Sequence, residues 1–224
     1  MPRLLCLRHH EEDHAGLLGE AFVERGFDIT TVLVGRGSPP PALTGFDAVV
    51  ILGSTSAVYD ESVRHAWFDD EVEFIHEATR RGVPILGVCF GAQALCVAHG
   101  GSVAPSPSPE VGWFPVEAVN GSGLPVGPWF EFHYDRCELP AQAELWARNE
   151  SAVQAFAIGD HVGVQFHPEV DEEQLAGWFA GGADEAARSY GHDLDQLLAQ
   201  TRDEHHAARD RAGILVDLFL HRQK

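Results

Sequence analysis

Gly87-Val88-Cys89-Phe90-Gly91 sets a thiol between two glycines, where the apolar run Val83-Pro84-Ile85-Leu86-Gly87-Val88 gives way to a helix-spaced segment from residue 90 to about 99. A nucleophile on a strand–turn–helix corner takes a strained backbone conformation, and glycines beside it avoid collisions between the neighbouring strand and helix. A thiol at the start of a helix also feels the positive end of the helix dipole, which favours the nucleophilic thiolate. The N–H of the next residue, Phe90, then faces the oxyanion formed when a carbonyl is attacked. A free cysteine is otherwise a small buried apolar residue. That reading is kept for Cys6 and Cys96, inside an expected strand and helix, while Cys137 falls in an expected loop and receives no role.

A thiolate nucleophile needs a histidine to take and return a proton, and a carboxylate to hold that histidine in the right tautomer. Gln165-Phe166-His167-Pro168-Glu169 supplies both at the end of an apolar run, residues 162–166. The i, i+2 spacing sends the His167 and Glu169 side chains to one side of an extended segment, and Pro168 biases His167 toward that conformation. Most of the 13 histidines are expected to be solvated or structural. The run His9-His10-Glu11-Glu12-Asp13-His14 is rich in metal-ligating types, yet consecutive residues rarely converge on one ion and the spacing fits no standard site. A solvated loop at the rim of the site is expected there, with no metal, and His205-His206 is read in the same way.

These residues need a scaffold, and the order of elements describes one. Strands are expected at residues 4–7, 29–34, 48–52 and 83–88, with helices at 16–25, 67–81 and 90–99. Ala48-Val49-Val50-Ile51-Leu52 is apolar throughout, as in a strand buried on both faces. Such an order implies an α/β fold with a mostly parallel central sheet. After Gly100-Gly101 come shorter runs at 112–119, 129–132, 144–147, 152–157 and 162–166, expected to extend the sheet or form a small antiparallel flap. Residues 105–109, with three prolines, read as a loop, and residues 172–179 and 194–221 return to helical spacing. The apolar set Ile214, Leu215, Leu218 and Phe219 is expected to pack on the chain's own sheet.

At 224 residues the length fits one domain of ordinary size. The formal net charge of −19, with Lys224 the single lysine, repels polyanions and argues against nucleic acid as a partner. An anionic substrate group would have to be held by local arginines or backbone donors. The four cysteines lack zinc-type spacing, and neither a signal-peptide apolar region nor a membrane-spanning stretch is read, so a reducing cytoplasm is expected.

Gly-Val-Cys-Phe-Gly-Ala-Gln at 87–93 and Gln-Phe-His-Pro-Glu at 165–169 resemble the class I glutamine amidotransferases, most of all the glutaminase part of GMP synthase and its free-standing homologues. Ile51-Leu52-Gly53, Gly112-Trp113 and Phe132-His133-Tyr134-Asp135 strengthen the resemblance, which covers roughly residues 4–180. It implies a three-layer α/β/α, flavodoxin-like fold with a mostly parallel central sheet, in which residues 1–182 form the family domain and 183–224 a helical extension packed on it. It also implies that Cys89 attacks a glutamine side-chain amide, that His167 protonates the leaving ammonia, and that Glu169 orients His167. Gly53 would lend a second oxyanion-hole N–H, Gln93 would seat the glutamyl group, and His133 would stand on the substrate side. No cofactor is implied.

The chain departs from the family at Gly53-Ser54-Thr55-Ser56, where Gly-Gly-Pro is usual; without the proline the turn is less fixed. The family delivers ammonia to a synthetase, and no phosphate-binding glycine loop is present. The resemblance therefore implies a small-molecule substrate, glutamine or a γ-glutamyl amide, with a separate ammonia-accepting synthetase. The alternatives are a free-standing γ-glutamyl hydrolase or transferase, and a non-catalytic regulatory protein.

Overall fold

The computed structural model describes residues 1–35, 37–119 and 121–222. Five parallel strands form the centre of the sheet: β1 (Arg3–Arg8), β2 (Asp28–Leu33), β3 (Ala48–Ile51), β4 (Ile85–Val88) and β10 (His161–Val164). Beyond β10 the sheet continues antiparallel through β9 (Val153–Ile158), β8 (Glu144–Arg148) and β6 (Glu117–Ala118), in the order β2-β1-β3-β4-β10-β9-β8-β6. A separate antiparallel ribbon pairs β5 (Ser102–Phe114) with β7 (Trp129–Glu138).

Successive side chains of a strand point to opposite faces, and the parallel strands use this to build two cores. Leu4, Cys6, Val50, Leu86, Val88 and Val164 face one side. There they meet Leu18 and Phe22 of α1 (Gly16–Glu24) and Leu215, Val216 and Phe219 of α7 (Leu194–His221). Leu5, Leu7, Val49, Ile51 and Ile85 face the other side, against Phe68, Ile75 of α3 (Asp69–Arg81) and Leu95 of α4 (Phe90–Ala98). Each large side chain so buried contributes roughly 1.5–3 kcal/mol. The apolar end of α7 thus packs on α1 and the sheet, although Ile214 remains 45% exposed.

Parallel strands bring their carboxyl ends to one edge, which is where ligands bind in open α/β sheets. The edge is closed by α5 (Glu172–Trp178), α6 (Asp184–Ser189) and the β5–β7 ribbon, which share a third core around Val111, Phe130, Leu175 and Ala187.

Three local expectations are corrected. Residues 105–109 lie within β5 and are not a separate loop, because in a two-stranded ribbon every strand is an edge and proline need not donate a ladder bond; the pairing with β7 breaks between Pro105 and Glu110. Cys137 is a buried residue of β7, not of a loop, because that strand runs six residues past its expected end to pair with the start of β5. Helix α3 starts at Asp69 and is preceded by a π-helical turn, Arg64–Phe68, and a single turn α2 (Glu61–Val63) capped by the Asp60 carboxylate.

Candidate active site

The first turn after β4 holds Cys89 at φ 51° and ψ −105°, and Cys89 is the one non-glycine residue with positive φ among the described residues. Such backbone costs of order 1–3 kcal/mol and persists only where its surroundings enforce it. Here the Cys89 N–H donates to the Val164 carbonyl at 2.8 Å, and its own carbonyl accepts from the Gln93 N–H at 3.0 Å. The flanking glycines are sterically required: a Cβ on Gly87 would lie 2.4 Å from the Gly91 carbonyl oxygen, and one on Gly91 would lie 2.2 Å from that of Ile51. Phe90 opens α4, so its N–H has no acceptor within the helix.

β10 lies beside β4, and the chain leaving it delivers His167 and Glu169 to the same edge. His167 Nδ1 is 2.7 Å from Glu169 Oε1, the two side chains are 5% and 1% exposed, and the imidazole also interacts with Cys89. Burial alone would pull the His167 pKa down, but the charges of Glu169 and Cys89 outweigh it and hold the ring well above the ordinary histidine range. The His167 N–H donates to the Phe130 carbonyl at 2.7 Å, and the Glu169 carbonyl accepts from the first turn of α1 at Leu17, 3.0 Å away. Two further elements therefore lock the dyad in place.

Gly53, after β3, lies against both groups: a Cβ there would be 3.1 Å from His167 Cε1 and 3.8 Å from Cys89 Cβ. Gln93 is buried and donates to Gln165 Oε1 at 3.3 Å, its side chain lining the floor of the site. His133 also lines the site, but both of its ring nitrogens are engaged by protein: Nδ1 at 2.9 Å from the Asp135 carbonyl and Nε2 at 3.1 Å from Glu110 Oε2. The structure thus brings Gly53, Cys89, Phe90, Gln93, His167 and Glu169 together, and sets His133 at the wall with its ring turned into the protein.

The site opens into a cavity of about 590 Å³, walled by Tyr59, Phe132, Tyr134 and Trp178. Among the described residues its lining includes Glu12, Asp13, Asp135 and Glu169 but neither arginine nor lysine, so a substrate carboxylate would rely on backbone N–H groups and on side-chain donors such as Ser54, Thr55 and Tyr59. Sequence reasoning assigns no role to Trp178 or Asp13. The Trp178 ring meets His167 edge-on at 5.0 Å between centroids, and its Nε1–H donates to Asp13 Oδ1 at 2.9 Å. Asp13 belongs to the run expected to be solvated; instead it is buried, and that burial raises its pKa. His9 is a second exception, because its side chain is only 2% exposed.

Beside the site, Glu110, Glu131 and His133 bring one ligand atom each within 4.8 Å of one another, an arrangement able to hold a metal ion. Glu131 is fully buried, and neither of its carboxylate oxygens has a hydrogen-bond partner. Desolvation first, and the nearby Glu110 second, push its pKa well up, so a proton can neutralise the group without a cation.

Residues 16–176 match the glutamine amidotransferase class-I family, and the chain belongs to that family. It is 33% identical over 188 residues to a γ-glutamyl-L-1-hydroxyisopropylamide hydrolase of Pseudomonas sp., a match covering 74% of this chain and 61% of that protein's length. It is 30% identical over 145 residues to a glutamine-hydrolyzing GMP synthase subunit of Ignicoccus hospitalis, covering 61% of this chain and 73% of that protein. The crystal structure of a glutamine amidotransferase from Thermotoga maritima superposes with a TM-score of 0.87 at 26% identity, covering 97% of this chain and 98% of that one. The fold is that of the family, and no helix is long and apolar enough to cross a membrane among the described residues.

Proposed function

We propose that this chain is a cysteine hydrolase of γ-glutamyl amides, with Cys89 as nucleophile, His167 as proton carrier and Glu169 as orienter of His167. The observation that carries the reading is the strained Cys89 at the floor of the cavity, facing a buried imidazole whose far nitrogen is 2.7 Å from a carboxylate. The Cys89 sulfur attacks the side-chain carbonyl of the glutamyl group, and the oxyanion is met by the Phe90 N–H and a second donor from the turn after β3. The C–N bond breaks as His167 gives its proton to the departing nitrogen, leaving a glutamyl thioester and free ammonia or amine. Water, deprotonated by His167, then attacks the thioester; glutamate leaves, and the thiolate–imidazolium pair is restored.

The size of the cavity favours an amide with a leaving group larger than ammonia. At about 590 Å³ it falls in the range that takes drug-sized ligands, and its outer wall is aromatic. The hydrolase of Pseudomonas sp. supports the same reading. A second reading is hydrolysis of glutamine with ammonia passed to a separate synthetase, supported by the similarity to the glutamine-hydrolyzing GMP synthase protein of Ignicoccus hospitalis. The isolated protein is to be assayed with glutamine and a panel of γ-glutamyl alkyl- and arylamides. Faster release of the larger amines than of ammonia is expected; turnover of glutamine alone, dependent on a co-purifying synthetase, would overturn the first reading in favour of the second.

A further inference from the structure

Behind the turn that follows β3 stands a buried pair with no part in the chemistry above. His9, at the end of β1, has its Nδ1 2.9 Å from the Gly53 carbonyl oxygen and its Nε2 3.0 Å from Glu71 Oε2 on α3. The two side chains are 2% and 1% exposed. The imidazole packs against both Trp67 and Phe90, with ring centroids 5.2 and 5.0 Å away and those two rings 5.5 Å from each other, so aromatic rings screen it from water. A carbonyl only accepts, which assigns a proton to Nδ1. Glu71 then fixes the opposite nitrogen, as a carboxylate beneath a metal-ligating or catalytic histidine does.

A trans peptide fixes the sense of the next N–H, because the N–H of Ser54 points directly away from the Gly53 carbonyl and hence away from His9. Gly53, Ser54 and Cys89 line the cavity and His9 does not, so an N–H directed away from His9 is turned toward the cavity side of the turn. In this chain Thr55 stands where a proline would otherwise stiffen the turn, and the turn is instead held from β1. His9 fixes the Gly53 carbonyl, and His10 Nε2 accepts from the Thr55 N–H at 3.3 Å.

We propose that His9, oriented by Glu71, is a positioning residue for the oxyanion hole: it holds the peptide joining Gly53 and Ser54 so that the Ser54 N–H, in place of the Gly53 N–H that the resemblance implies, converges with the Phe90 N–H on one oxygen. The assignment rests on the acyl-transfer reading of Cys89 but not on the glutamyl specificity. His9 touches no substrate. Its removal lets the peptide rotate and withdraws one donor from the transition state, while leaving the thiol in place.

The test separates a reaction that makes an oxyanion from one that does not. Acylation of Cys89 by p-nitrophenyl acetate passes through a tetrahedral oxyanion; alkylation by iodoacetamide is a displacement at saturated carbon and does not. Parent, His9→Asn, His9→Gln and Glu71→Gln are to be compared in both reactions. Asparagine can put its amide N–H where Nδ1 stood, whereas glutamine carries it past the Gly53 carbonyl. His9→Gln is expected to slow acylation about tenfold to a hundredfold, His9→Asn to stay within about threefold of the parent, and Glu71→Gln to fall between them. All are expected to alkylate at the parent rate and to keep the parent KM for any amide they cleave.

Equal acylation by His9→Gln and His9→Asn, or acylation and alkylation falling together, would overturn the positioning role. A parent acylated by the ester but inactive toward every γ-glutamyl amide would overturn the proposed substrate and leave the positioning role intact. A parent that neither reagent modifies at Cys89 would overturn both.

Discussion

His167 Nδ1 and Glu169 Oε1 lie 2.7 Å apart, across a single proline, with both side chains buried. Burial opposes the imidazolium, but the Glu169 carboxylate and Cys89 together outweigh it, which is why the His167 pKa lies well above the ordinary value. In the proposed reaction protonated His167 gives a proton to the leaving nitrogen, so activity is expected to fall as pH rises through that pKa. Glu169→Gln removes the largest opposing charge and lowers the pKa. The descending limb of the kcat–pH profile is therefore expected to move to lower pH, with kcat reduced roughly a hundredfold or more. A limb that stays in place would show that another group sets it.

Gly91→Ala should act on stability before it acts on chemistry. The new Cβ would press on the Ile51 carbonyl oxygen at 2.2 Å, and both Ile51 and Gly91 are buried. A loss of roughly 3 kcal/mol in urea denaturation is expected. Unchanged stability would mean that α4 shifts away from β3 freely.

Trp178 covers the imidazole and pairs with Asp13. Trp178→Ala is expected to lower kcat/KM about tenfold, through the lost aromatic wall and an Asp13 left without its donor, while Trp178→Phe keeps the ring contact and loses about threefold. Equal losses in steady-state assays would place the effect in the Asp13 bond alone.

His161 gives the fold its own pH dependence. Its Nδ1 accepts from the Ile85 N–H at 3.1 Å and its Nε2–H donates to Thr79 Oγ1 at 2.9 Å, so the neutral ring joins β4, β10 and α3. Burial, and then the nearby His99, bring its pKa down to about 4. The folded pKa is below the unfolded one near 6.5, so the unfolded state binds the extra proton first. The stability contributed by the neutral ring is complete above about pH 6.5 and is lost as pH falls through about 4, amounting to about 3 kcal/mol. Urea midpoints measured between about pH 7 and 4 should show this slope in the parent and a flatter one in His161→Asn. Identical slopes would exclude His161 as its source.

The two segments that the fold brings together around Cys89 and His167 were legible in the sequence because each is local. Gly87-Val88-Cys89-Phe90-Gly91 and His167-Pro168-Glu169 each lie within a few residues of a strand end, where composition fixes the backbone. The parallel sheet was legible for a similar reason, since β1, β3 and β4 are apolar on both faces. What was missed depends on pairing across long separations. His9 and Glu71 are 62 residues apart, as two members of charged segments, and only the adjacency of β1 and β3 with α3 packed behind them brings the pair together. Asp13 and Trp178, 165 residues apart, are a second such case. Helix α6 escaped because the π-helical turn Phe179–Ala183, with Gly182 at φ 107°, interrupts the apolar spacing between α5 and α6.

The central claim is that Cys89 carries the acyl group. The most direct measurement is mass spectrometry of the protein quenched during turnover of a γ-glutamyl amide. A glutamyl adduct on the peptide containing Cys89, absent from Cys89→Ser and accumulating when water attack is slowed in His167→Asn, is the expected result. Turnover by Cys89→Ser at the parent rate, or an adduct on any other residue, would contradict the account.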